Sequence, residues 1–297
     1  MALKLIVNGY FRSGTSIVWK ILKDSNNDYT VFYEPCHEAL FDLVSDYEKS
    51  SNKKNTLHGM DIWEEYTKNP DFFNKLRFIH PNILKPVPVN YSKIKNYVNA
   101  FNELDENTIL QTNRWHLFLD FLGKDFDCEI IHIIRNPIDV YNSIINKAFE
   151  KNQYIKKIIY KNRSFNINIW YQELSKFYPE LYQNRLYNSK YNLLFPFEMF
   201  IVVWVLTNYY ALLKLNKRNI IIYEKLLYSP DEYKKKIEKL GFKFEYKKIL
   251  KENKKEIEKW EQIENNKEIK HIVKKFCLQD KYDFIVFILK ENMSNVL

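Results

Sequence analysis

Leu3-Lys4-Leu5-Ile6-Val7-Asn8-Gly9-Tyr10-Phe11-Arg12-Ser13-Gly14-Thr15-Ser16 decides how the chain is read. Lys4 to Asn8 has the composition of a short strand. Two glycines then bracket a tight loop, and Ile17, Val18, Ile21 and Leu22 recur at helical spacing. Strand, glycine loop and helix together aim backbone N–H groups and a helix N-terminus at an anion. The nucleoside-triphosphate form of such a loop is G-x-x-x-x-G-K-[ST], whose lysine reaches the β- and γ-phosphates. Gly9 and Gly14 keep that spacing and Ser16 stands at the Ser/Thr position, but Thr15 replaces the lysine. The cation is Arg12, inside the loop. A phosphate cradle without its γ-phosphate reader argues for a nucleotide that is not a triphosphate.

Composition bounds the rest. The chain has 297 residues with 46% hydrophobic content, enough for a large α/β domain and too apolar for a disordered chain. Only five glycines occur, which gives weight to the two in the first loop. The net charge of +9 comes with abundant lysine throughout, and no clustered Arg/Lys recognition helix stands out, so no nucleic-acid partner is expected. Cys36, Cys128 and Cys277 are far apart and odd in number. They give neither a metal spacing nor a disulfide framework, so no metal and a cytoplasmic location are expected. Met1 runs almost directly into the first strand, so no signal peptide is expected. Phe195 to Leu215 is apolar but contains Pro196, Glu198, Thr207, Asn208 and Lys214, which favours a helix buried against a sheet over a membrane span.

Further strands are expected at Tyr29–Tyr33, Thr108–Thr112, Glu129–Ile134 and 219–223, with helices between them. Asn136-Pro137 reads as a helix start, with asparagine as N-cap. Alternating strands and helices predict an α/β fold with a central parallel sheet and helices on both faces. Ligands then sit at the carboxyl ends of the strands. Residues 50–107 and 150–195 read as loop and helical insertions, and 247–297 as a tail of amphipathic helices with solvated charged faces.

Three ordered stretches carry a resemblance. They are Y-F-R-S-G-T-S at 10–16, I-I-R-N-P-x-D-V-x-x-S from Ile133 to Ser143, and Y-E-x-L-x-x-x-P from Tyr223 to Pro230. Together they resemble the sulfotransferases that use 3'-phosphoadenosine 5'-phosphosulfate (PAPS), which have a P-loop-type α/β/α fold. The resemblance implies one sulfotransferase domain over 1–297, PAPS as donor and its desulfated bisphosphate, PAP, as product. It assigns Arg12, Ser13, Gly14, Thr15 and Ser16 to the 5'-phosphosulfate, and Arg135 and Ser143 to the 3'-phosphate. Phe32-Tyr33-Glu34-Pro35 resembles the carbohydrate O-sulfotransferase branch, which implies a glycan or small-molecule acceptor. A glycolipid acceptor implies peripheral association with a membrane.

Sulfuryl transfer needs positive charge at the leaving oxygen, an in-line acceptor hydroxyl and a group to take its proton. Arg12 suits the first role, and Glu34, just past the second strand, suits the last. A histidine, His37 or His116, is the alternative base, as in the phenol and steroid branch, although a structural histidine is the commoner reading of each. Arg114 and His116 follow a strand and are candidates to touch the acceptor. Lys85 is a weaker one. The G-x-x-G-x-x-K segment of the cytosolic branch is absent, since residues 242–297 hold no glycine. Two other readings stay open: a P-loop kinase or NTPase, which needs a lysine near Gly14 and a Mg²⁺-binding carboxylate at a neighbouring strand end, and a nucleotide-binding module without chemistry.

Overall fold

The computed structural model describes residues 2–49, 56–57, 60–80, 90–149, 167–176, 178, 196–247, 249–250 and 263–293. Strand β1 (Leu3–Gly9) leads through the glycine loop into helix α1 (Thr15–Ser25), and β2 (Thr30–Tyr33) follows. Helix α2 (Leu40–Lys49) comes next, then a two-strand hairpin of β3 (Thr56–Leu57) and β4 (Met60–Asp61). Helices α3 (Glu64–Thr67), α4 (Pro70–Ile79) and α5 (Tyr91–Asn102) fill the described part of the first expected insertion. Asn69 and Asn90 cap α4 and α5 by accepting from the N–H groups of Phe72 and Lys93. Strand β5 (Thr108–Thr112) precedes α6 (Leu119–Phe126) and β6 (Glu129–Ile134). Helix α7 (Pro137–Phe149) starts as its sequence predicts: Asn136 Oδ1 accepts from Ile138 N–H at 2.9 Å and Pro137 takes the first helical position.

The described remainder holds α8 (Ile167–Ser175), α9 (Pro196–Leu212), β7 (Ile220–Ile222), α10 (Tyr223–Tyr228), α11 (Pro230–Glu238), α12 (Lys267–Lys275) and α13 (Gln279–Met293). Lys85, most of the 150–195 insertion and residues 251–262 of the tail lie outside the described residues.

Five strands form one parallel sheet in the order β2-β5-β1-β6-β7. The buried residues divide into two clusters, and strand alternation shows why. Ile221 joins the cluster containing α1, α4, α5 and α6, whereas Ile220 and Ile222 join the one containing α7, α8, α9, α12 and α13. Helix α9 is apolar all round because it packs against α8, α12 and α13 as well as β6. None of the described helices is long and apolar enough to cross a membrane.

The topology fixes where a ligand can bind. From β1 the chain crosses one way to β2, and from β6 it crosses the other way to β7. The connections therefore diverge at the carboxyl ends of β1 and β6, opening a crevice there. The register sets Gly9 beside Ile133, Asn8 beside Thr112 and Tyr33 beside Gln111. The loops after β1, β2, β5 and β6 thus emerge on one rim.

Candidate active site

The glycine loop is shaped by close contacts. A Cβ on Gly9 would lie 2.7 Å from both the Ile133 carbonyl oxygen and Ser13 Oγ, so β1 and β6 meet here only because the side chain is hydrogen. Gly14 has φ 96° and lies against the Tyr223 ring, which any Cβ would overlap. Arg12 is also left-handed, at φ 67°. Ser13 builds the loop from inside: its N–H and its hydroxyl both donate to the Tyr10 carbonyl, at 3.0 and 2.5 Å. Gly14 is the N-cap of α1 and no side chain caps the first turn, which leaves the positive end of the helix to the loop mouth.

On the β6 side of this loop the cations gather. Arg12 Nε donates to Ser143 Oγ at 2.9 Å, and Arg135 Nη1 donates to the Arg12 carbonyl at 2.9 Å. The Arg135 guanidinium stacks over the Tyr223 ring at 4.7 Å, and its Nε stands 3.9 Å from Oε1 of Glu224. Glu224 is wholly buried and accepts from Asn136 N–H at 3.0 Å. Trp204 Nε1 donates to the Arg135 carbonyl at 3.1 Å. Arg135 is therefore held from three directions with its side chain 21% exposed, while Arg12 stays exposed. Two guanidiniums, a serine hydroxyl and a helix N-terminus converge, and such a set suits a multiply charged anion.

On the β5 and β2 side the polar groups are buried. Thr15 Oγ1 donates to Asn113 Oδ1 at 2.9 Å, and Asn113 Nδ2 donates to Glu34 Oε1 at 2.5 Å. Gln111 Nε2 donates to the same Asn113 oxygen at 3.0 Å, and its own Oε1 accepts from Glu34 N–H at 3.3 Å. Glu34 is 8% exposed, with φ 39°. Ser16 Oγ and the Tyr33 hydroxyl are 3.0 Å apart. Burial, reinforced by Glu34, holds the Tyr33 phenol well above its usual range, so it stays protonated. The Thr15 and Ser16 hydroxyls, expected to face phosphate, thus have protein partners.

The histidines and Arg114 depart from their expected places. His116 and His132 are fully buried. Asn8 Nδ2 donates to the Nδ1 of each, at 2.9 and 3.1 Å, and Asn8 Oδ1 accepts from Trp115 N–H. The Nε2–H of His116 donates to the Asn113 carbonyl, and that of His132 to Asn208 Oδ1, both at 3.0 Å. Burial first, then His132, keeps His116 well below the usual imidazole range, and burial pushes His132 down to about 4. Both rings are neutral core groups, which corrects the placement of His116 at the acceptor. Arg114 is also inside. It pairs with Glu38 at 2.5 Å and stacks over Phe11 at 5.1 Å, so it too is not an exposed acceptor contact. His37 sits beside Glu34, and its Nδ1 accepts from Ala39 N–H at 3.1 Å. Burial lowers its pKa, and a neutral ring of that tautomer carries its proton on Nε2 while its Nδ1 lone pair is engaged by Ala39 N–H.

The model of the sulfotransferase domain family matches residues 3–280. The chain belongs to this family. An uncharacterized protein of Archaeoglobus fulgidus is 30% identical over 280 residues, covering 84% of this chain and 88% of that protein. Among solved structures, the sulfotransferase domain from the Synechococcus PCC 7002 olefin synthase aligns with 82% of this chain and 74% of its own, at 12% identity and a TM-score of 0.37. In this sulfotransferase domain, sequence reasoning gave no role to Tyr33, Asn113, Tyr223 or Glu224. The one available signal was the pair Tyr223-Glu224 directly after the buried Ile220–Ile222 run, where a carboxylate inside an apolar stretch needs a cationic partner.

Proposed function

We propose that the chain transfers the sulfuryl group of PAPS to a hydroxyl of a carbohydrate, glycolipid or other small-molecule acceptor, with Glu34 as general base. One observation carries this reading: Arg12, Arg135 and Ser143 interlock on one side of the glycine loop, and Glu34 is tied to the other side through Thr15 and Asn113. PAPS supplies the activated sulfuryl group and departs as PAP. Arg12 and the N-terminus of α1 offset the charge that grows on the leaving phosphate. Arginine keeps its proton, so that role is electrostatic. Arg135 and Ser143 bind the 3'-phosphate. Glu34 takes the acceptor proton as the new S–O bond forms, on the face opposite the leaving group.

The family match over residues 3–280 supports reading the chain as a single sulfotransferase domain. The three unpaired thiols suit a reducing cytoplasm, and the Tyr33-Glu34-Pro35 stretch is what favours a glycan acceptor. Incubation of the protein with PAPS labelled in its sulfuryl group and pools of glycan, glycolipid and phenolic acceptors tests the reading. Labelled product in a hydroxyl-bearing pool is expected. Label that stays on the nucleotide, or leaves only as free sulfate, contradicts it.

A further inference from the structure

Strand β5 lies between β1, which carries the donor loop, and β2, which carries Glu34. Its last residues pair with Asn8 on one side and Tyr33 on the other. Asn113 is the first residue beyond β5, so the register alone places it between the loop and the carboxylate. Its amide oxygen accepts from Thr15 and Gln111, its amide nitrogen donates to Glu34, and its backbone carbonyl accepts from His116. The backbone of Glu34 is fixed from the same direction. Its N–H is held by Gln111, and its carbonyl accepts from His37 N–H at 2.9 Å. A left-handed φ at a glutamate costs energy and persists only where surrounding contacts dictate it.

We propose that Asn113 is a positioning residue that sets the Glu34 carboxylate in register with the donor loop, so that one amide fixes the distance between the donor and the proton acceptor. The inference rests on the reading of Glu34 as base. It gives a purpose to the bond from the Thr15 hydroxyl to Asn113. Its single proton is spent on Asn113, and Thr15 serves the donor through its place at the start of α1.

The test is steady-state kinetics of Asn113→Ala and Asn113→Asp, each alone and combined with Glu34→Gln. The aspartate variant keeps an oxygen for Thr15 and Gln111 but sets a second carboxylate against Glu34 where the amide donated, so it breaks the tie by repulsion and reports even where the alanine variant fails to fold. Either variant should lower kcat about 10- to 100-fold, the cost of misplacing a reacting group by about an ångström. The KM for PAPS should stay within about threefold. In the Glu34→Gln background the same change should cost little further, because no base is left to position. Equal losses in both backgrounds, or a raised KM with kcat intact, overturn the role of Asn113 while leaving sulfuryl transfer standing. A wild-type protein that transfers no sulfuryl group to any acceptor overturns the parent reading and this one with it.

Discussion

The two flanks of β1 at its carboxyl end are built in opposite ways. Toward β6 stand Arg12 and Arg135, accessible cations that lean on Ser143, a backbone carbonyl and a buried carboxylate. Toward β5 stand Thr15, Asn113, Gln111 and Glu34, a buried chain in which one amide joins three elements. The first flank holds charge ready for a ligand that brings the opposite sign. The second fixes one carboxylate in place, which is what the proton-transfer role proposed for Glu34 requires, since such a role depends on geometry more than on charge.

Perturbing the second flank should have the largest effect. Glu34→Gln keeps the shape and removes the base, and should lower turnover by roughly 10²–10⁴-fold. The affinity for PAP, measured by calorimetry, should hardly change. A parallel loss of affinity would mean that the flanks do not divide the work.

Arg135→Ala breaks the first flank. It should weaken PAP binding by about 1.5–3 kcal/mol, the scale of a charged hydrogen-bonded contact. Adenosine 5'-phosphosulfate, which lacks the 3'-phosphate, should bind the variant almost as well as the wild type. Equal losses for both ligands would place Arg135 away from the 3'-phosphate.

The carboxylate flank also bonds, through the Asn113 carbonyl, to the buried Asn8–His116–His132–Asn208 network, whose rings are neutral. His132 is depressed to about 4 in the fold, against an unfolded value of about 6.5. The unfolded chain therefore binds the extra proton first. Stability from this group is complete above about pH 6.5 and declines as pH falls toward 4, by about 2 kcal/mol at pH 5. Urea unfolding at pH 7 and pH 5 should show a smaller pH dependence in His132→Gln than in the wild type. Identical pH dependence would show that His132 is not the titrating group.

The smallest effect is expected for Ser143→Ala, which removes one neutral hydroxyl from the cationic flank. PAP affinity should fall by about 1 kcal/mol, a factor of about five. A loss as large as that of Arg135→Ala would mean that the bond from Arg12 to Ser143 matters to binding as much as a charged contact does.

The sequence reveals the cationic flank better than the carboxylate flank. Strands β5 and β6 occupy the residues expected of them, and Arg12, Arg135 and Ser143 gather as the motifs imply. Motif spacing conveys this because each group lies within a turn or two of its own strand end. What decides the other flank is strand order. Nothing local to Thr108–Thr112 says that it inserts between β1 and β2, and that insertion turns Asn113 into a bridge. The same insertion buries Arg114 and His116. Trp115 N–H bonds Asn8, residues 113–116 are buried, and α6 starts only at Leu119. The run expected as a strand over 219–223 ends at Ile222, because Tyr223 opens α10 and lays its ring on Gly14.

The proposed donor carries phosphate at both ends of its ribose, and the crevice should prefer such a nucleotide to a triphosphate. Thermal unfolding with PAP, set against ATP with Mg²⁺ at the same concentration, separates the two. A ligand at a hundred times its Kd stabilises the fold by about 2.7 kcal/mol. PAP should therefore raise Tm by several degrees, with little change from ATP and Mg²⁺. Greater stabilisation by ATP and Mg²⁺ than by PAP would contradict the claim.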